Sequence, residues 1–399
     1  MRPKSAPVGV TSDLPASADP IGSASRGRRW LLKRLGATAV GACLPAAPWI
    51  MRSARSQSRQ LHIMFWSDRL PESFRKAFER ETGLSIVHTP YGSNEELLSR
   101  LRATRGRQFD VVGPLSYLTG SWKDVDLLQP LDVKRLPMAK LDARMLAACE
   151  GFAWDGRPRL IPFLSGTEGI SWRTDRVAKD FNAQTYGEVA LGDIWQAEFK
   201  GGVMGRPHSL MAGIGRQLAS EGKLPPFEDS YRDLDTMQSI WSKIVDVAIA
   251  RKPWIRQFWD SAEAQVDGFS RNGAVIGQTW DGPVLRLIRD GAPLRFVVPK
   301  EGAFSWVDGM AIPIGAQNID GAYAFMQFAL RPDMNALLAS RTGYWPVVTG
   351  AAARLDKVHG RVLAQAFPKG SRDNLWLWPA MPSWYERARG QYIDRFITA

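Results

Sequence analysis

Few residues in this 399-residue chain are spaced for bond-making chemistry. The four histidines, His62, His88, His208 and His359, do not pair at metal-ligand spacing, so no metal site is expected. No Gly-x-Ser-x-Gly elbow offers an activated nucleophile, and no Gly-x-x-x-x-Gly-Lys loop offers a phosphate cradle. What the chain does hold is sixteen tryptophans, several of them where strand ends meet loops, and some beside carboxylates. Trp66-Ser67-Asp68, Trp280-Asp281 and Trp306-Val307-Asp308 are the instances. Flat rings bury methylene groups and offer π-faces to a cation at about 0.5–2 kcal/mol each. A carboxylate offsets a desolvated ammonium, which otherwise costs several kcal/mol. Aromatic walls with a carboxylate are therefore the recognition chemistry of a protonated alkyl amine, and neither an enzyme nor a bound cofactor is expected.

Each of these residues also has a plainer reading. A tryptophan more often fills a core than lines a cage. Asp308 could brace a strand, Asp281-Gly282 is a turn signal, and Asp68 suits the positive end of a helix.

The elements around these residues alternate strand and helix. Leu61 to Phe65 reads as a strand, then a helix enters at Pro71 and ends at Gly83. Leu84 to His88 is the next strand, and Ser93-x-x-Glu96 is a capping box ahead of a helix carrying Leu97, Leu98 and Leu101. Phe109 to Val112 is a third strand. Three strands and two helices in about fifty residues predict a parallel doubly wound sheet, in which ligands bind beyond the carboxyl ends of strands. A second unit follows Ile161-Pro162-Phe163, with strands at 201–204 and 274–278, a helix over about 230–250, a return strand at Met310 to Pro313 and a helix from Ile319 to Leu330. The simplest arrangement is two α/β lobes with a cleft between them.

The net charge of +12 suggests a nucleic-acid partner until it is placed. Residues 1–59 hold ten Lys or Arg against two Asp, a net of +8, which leaves +4 for the rest. No helix-turn-helix or Lys/Arg run follows residue 60, so no nucleic acid is expected. Gly27-Arg28-Arg29-Trp30-Leu31-Leu32-Lys33 resembles a twin-arginine export motif, with Gly27 where Ser or Thr is usual. A short, weakly apolar stretch from Leu35 to Pro48 completes the pattern of a removable signal. Val40-Gly41-Ala42-Cys43 also resembles a lipobox, so Cys43 is a candidate lipid anchor, the alternative being cleavage near Ala47 or Ala54. The only other cysteine, Cys149, reads as a buried apolar residue, and no disulfide framework is expected.

Six segments in order carry a family resemblance. They are Trp66-Ser67-Asp68, Phe78 to Gly83, Tyr91 to Glu95, Asp110 to Pro114, Pro299 to Asp308 and Phe328 to Asp333. Over residues 60–399 the chain resembles the periplasmic solute-binding proteins of spermidine/putrescine (polyamine) ABC importers. The resemblance implies a periplasmic-binding-protein type II-like fold, with two doubly wound lobes hinged like a clamp. It implies a leader over 1–59, a first lobe of 60–162 plus 308–360, and a second of 163–307 plus 361–399. The hinge is expected near Pro162 and the 298–308 crossing. A periplasmic monomer is implied, with a small amine-bearing ligand and an ABC permease of the inner membrane as partners. Trp66, Ser67, Tyr117, Trp280, Trp306 and Tyr344 fall at cleft positions, Asp308 matches the amine-binding carboxylate, and Asp281 is a second candidate.

The chain departs from the pattern at instructive places. Arg69 stands where many relatives have Tyr, and Leu115 replaces a cleft Ser. Met204 to Ala212 lacks the acidic pair of spermidine-binding relatives and offers Arg206 and His208 instead. Arg69 and Arg206 are therefore candidate contacts for a ligand bearing an acid, and a zwitterionic or anionic solute (an amino acid or an aminophosphonate) is the alternative to a polyamine. Delivery to a receptor is the alternative to delivery to a permease.

Overall fold

A computed structural model describes residues 59–399. The expectations for Arg28, Arg29 and Cys43 fall outside the described residues. The described chain opens with the expected alternation: β1 (Gln60–Trp66), α1 (Glu72–Thr82), β2 (Ser85–Tyr91), α2 (Asn94–Thr104) and β3 (Val111–Val112). β1 is central and pairs in parallel with both neighbours, as the alternation requires. α1 follows Pro71, whose φ of −62° suits a helix entry, and ends at Gly83, whose φ of 70° favours a residue without a β-carbon. The Ser93 hydroxyl accepts from the Glu96 amide at 3.1 Å. The Glu96 carboxylate reaches the Gly92 amide at 3.0 Å, one residue before the usual capping-box partner.

After α3 (Thr119–Val125) and α4 (Ala143–Ala147) comes β4 (Ile161–Arg173), a strand of 13 residues buried at every position but the last. Only its first three residues are evident in the sequence, because Ser165-Gly166-Thr167-Glu168-Gly169 interrupts the apolar run. Next come α5 (Lys179–Ala183), β5 (Val203–Gly205), α6 (Pro207–Ser220), α7 (Leu234–Ala250), β6 (Ile255–Phe258), α8 (Ala262–Ser270), β7 (Ile276–Trp280), α9 (Asp281–Arg289) and β8 (Leu294–Val297). The return strand is β9 (Ala303–Met310), earlier and longer than expected. Of the expected stretch only Met310 is in the strand, and beyond it Ala311 and Pro313 form isolated bridges to Val112 and Leu128. The chain closes with α10 (Ile319–Ala329), α11 (Pro332–Thr342), β10 (Trp345–Pro346), α12 (Lys357–Ala366), β11 (Leu375–Leu377) and α13 (Ser383–Thr398).

The second sheet runs β11-β9-β4-β7-β5-β6, with β8 and β10 also paired to β4. β4 and β9 lie antiparallel from Ile161–Met310 to Glu168–Phe304, with a slip in register between Pro162 and Leu164. At its far end β9 is stitched to the loop after β3: the Ser116 amide donates to Val307 O and the Gly309 amide to Pro114 O, each at 2.9 Å. These two strands therefore pass from one sheet to the other, where the hinge is expected.

Aromatic packing anchors the first sheet. Phe65 of β1 meets Phe163 at 5.0 Å between ring centroids, and Phe74 and Phe78 of α1 meet Phe325 and Phe328 of α10 at 5.3–5.9 Å. Burying each phenyl contributes about 1.5–3 kcal/mol. Asp110, also buried, accepts from the backbone amides of His62, Gln317 and Asn318 at 2.8–3.0 Å, which ties β1 to the start of α10. Cys149 is buried and unpaired with sulfur, as read. Among the described residues no helix is long and apolar enough to cross a membrane.

Candidate ligand-binding site

Four strands end at one place. Trp66 is the last residue of β1, Leu115 and Tyr117 follow β3, Arg206 follows β5, and Trp280 is the last residue of β7. These residues line one cavity, together with Trp306 of β9, Glu168 of β4, Arg69, His208 and Trp378. The space left among them is about 10 Å³, room for roughly one water molecule. The walls are thus closed on each other, and any larger solute enters only by their separation. A larger hollow of about 590 Å³, lined by Thr174, Asn182, Arg295 and Val362 among others, holds no carboxylate.

The aromatic wall is continuous. Trp280 sits 6.1 Å from Trp66, 5.8 Å from Trp306 and 4.8 Å from Trp259 between centroids. Gly166 makes room for Trp306, because a β-carbon there would overlap its indole. Burial pushes the Tyr117 phenol up to about 12, so it stays a neutral donor.

The charged groups are arranged in a way that their types alone do not reveal. Arg69 is 2 % exposed and is clamped by two carboxylates: its Nε donates to Asp308 Oδ2 at 2.7 Å and its Nη1 to Asp68. Its guanidinium lies 3.7 Å from the centre of the Tyr344 ring, and the Tyr344 hydroxyl donates to Asp68 at 3.3 Å. Asp68 is also 3.6 Å from Arg286. Asp68 thus serves an ion-pair cluster, since α1 starts four residues later. Asp308 keeps one buried oxygen, Oδ1, without a hydrogen-bond partner among the described residues. Desolvation raises the Asp308 carboxyl and Arg69 opposes the rise.

Of the expected residues, Trp66, Tyr117, Trp280, Trp306, Arg69 and Arg206 converge on the cavity. Tyr344 lies behind Arg69, and Asp308 reaches the site through the same arginine. Ser67 is exposed and donates to Glu263 at 3.2 Å, away from the cavity lining. Asp281 is buried at the start of α9, accepts from the Thr167 hydroxyl at 2.9 Å and from the Gly282 amide at 2.8 Å, and does not line the cavity. Burial raises its carboxyl to about 7.

Glu168 is the cavity residue the sequence reading passed over. It accepts from the Ser209 hydroxyl at 2.9 Å and from the Gln278 amide nitrogen at 3.3 Å. Desolvation raises its carboxyl to about 7, against the pull of Arg206 and these two donors. A carboxylate in the middle of an otherwise apolar or small-residue strand was the signal available. Arg206 is half-buried, lies 5.0 Å from the Trp280 ring centre and 5.7 Å from that of Trp259, and has no carboxylate within 4.0 Å among the described residues. His208 is held neutral by burial and by Arg206.

Comparison with known proteins bears on the family and the fold. A model of the bacterial extracellular solute-binding proteins matches residues 73–364. The chain is 27% identical over 307 residues to the putrescine-binding periplasmic protein PotF of Escherichia coli, covering 72% of this chain and 78% of that one. It is 24% identical over 335 residues to the spermidine/putrescine-binding periplasmic protein of the same organism, covering 82% and 87%. The substrate-binding protein PotD of a spermidine/putrescine ABC transporter from Streptococcus pneumoniae superposes with a TM-score of 0.66 at 23% identity, covering 85% and 98%. The two-lobed α/β fold is shared, and the chain belongs to the bacterial extracellular solute-binding protein family.

Proposed function

We propose that this protein works outside the cytoplasmic membrane, captures a small amine-bearing solute between its lobes, and delivers it to an ABC permease. The observation that carries the reading is the convergence of Trp66, Tyr117 and Trp280, at or beyond the carboxyl ends of β1, β3 and β7, with Trp306 and Glu168 from the middle of β9 and β4. The relatives named for putrescine and spermidine support an amine and an importer. The ammonium is assigned to Glu168, since Asp308 already holds Arg69. β4 and β9 are the hinge strands. The reading is tested by thermal denaturation of the purified protein against a panel of amines, amino acids, dicarboxylates and aminophosphonates.

Export is assigned to the twin-arginine route on Arg28-Arg29 with Leu31, Leu32 and Lys33. Changing both arginines to lysine is expected to leave uncleaved precursor in the cytoplasm. Normal export of that variant would refute the assignment.

A further inference from the structure

The carboxylate that should receive a ligand's ammonium is occupied by the protein's own cation. Arg69 spends Nε on Asp308 and Nη1 on Asp68, with Tyr344 covering one face of the guanidinium. Asp308 does not line the cavity, its free Oδ1 is buried, and its charge is already balanced at Oδ2 by a tethered group whose loss of freedom is part of folding. The cavity then offers one carboxylate and one arginine, Glu168 and Arg206, which feel each other's charge but form no ion pair within 4.0 Å among the described residues. A diamine would bring two positive charges to a wall that balances one and already carries Arg206, and a buried uncompensated charge costs several kcal/mol. A dicarboxylate would meet Glu168 with the same mismatch in the other sign. Arg206 is also the residue that opens α6, so an acid group beside it lies at the positive end of that helix.

We infer that the site selects a small zwitterion of the amino-acid class, its ammonium on Glu168, its acid group on Arg206, and its carbon chain between the indoles of Trp66, Trp280 and Trp306. Arg69 is the specificity determinant that closes Asp308 to polyamines. The inference rests on the solute-capture reading and narrows its ligand.

The test holds length constant and varies charge: calorimetric titration of the purified protein with putrescine, 4-aminobutanoate and succinate, beside the common α-amino acids. At least one amino acid is expected to bind about 30-fold or more tightly than putrescine and succinate, the lower end of what losing one partner of a buried charge pair does. Arg206→Gln, at a half-buried residue without an ion pair, is expected to abolish that preference without unfolding the protein. Arg69→Tyr, which frees Asp308, is expected to raise putrescine affinity by at least about tenfold. Putrescine binding tightest to the parent, or an unchanged preference in Arg206→Gln, overturns the inference and leaves solute capture standing. Absence of binding by every compound counts against both.

Discussion

Replacing Arg69 with leucine destabilises the protein by about 3–5 kcal/mol, because Asp308 is left buried beside a hydrocarbon and the half-buried Asp68 keeps only Arg286 and the Tyr344 hydroxyl. The loss should depend on pH in a defined direction. Desolvation already raises the Asp308 carboxyl above its ordinary value of 3.8, and Arg69 restrains it. Without the arginine the rise becomes larger. A folded-state pKa above the unfolded one means the folded protein holds the proton more tightly, so this contribution is fully present below the unfolded value and is lost as pH climbs through the folded one. Urea unfolding at pH 4.5 and pH 8 should therefore show a smaller gap between parent and variant at the lower pH. Adding Asp308→Leu to the variant should recover a good part of the loss, since replacing a whole buried pair by apolar groups is far cheaper than breaking it. Additive losses in the double variant would show that Arg69 and Asp308 do not act as a pair.

Glu168→Gln keeps the shape and most of the hydrogen bonding of the side chain and removes its charge. For the amine or amino acid that binds the parent, affinity is expected to fall by about 30- to 5,000-fold, or about 2–5 kcal/mol. Two pH effects accompany the substitution. Burial lifts the Glu168 carboxyl from 4.5 to about 7, so the parent loses stability as pH rises through that interval, by about 3 kcal/mol in all. The glutamine variant should lack this share of the slope. An ammonium docking on Glu168 stabilises the carboxylate, so binding near neutral pH should release part of a proton. Titrations in two buffers of different ionisation enthalpy read that proton directly. Parent-like affinity in Glu168→Gln, or no proton release, would remove Glu168 from the binding site.

How far the sequence reaches can be judged residue by residue. Trp66 and Tyr117 could be placed from the rule that doubly wound sheets bind ligands beyond the carboxyl ends of their strands, and β1 and β3 end there, whereas Trp280, two residues past the expected strand, came from the family resemblance. α1 and α2 were legible from Pro71, Gly83 and the Ser93 cap, since those signals act within a few residues. β4 was not, because its middle is polar and glycine-rich. A strand buried on both faces shows no alternation, and Gly166 and Gly169 are there to admit Trp306 and Phe296 from neighbouring strands. Glu168 was hidden inside the same stretch. The role of Asp308 could not be read locally either: its partner Arg69 lies 239 positions away, and only the fold brings the two to 2.7 Å. The sequence did mark Arg69 and Arg206 as departures, which is where the ligand chemistry of this chain turns.

The claim that a solute is captured between the lobes meets its most direct test in thermal denaturation of the purified protein with each member of the panel in large excess. A ligand that binds only the folded form at 100 times its dissociation constant adds about 2.7 kcal/mol. A clear, concentration-dependent rise in the melting temperature is expected with at least one amino acid or amine, and it should fall to about a third or less in the Glu168→Gln variant. A melting temperature unmoved by every compound, or a rise of equal size in that variant, would contradict the claim.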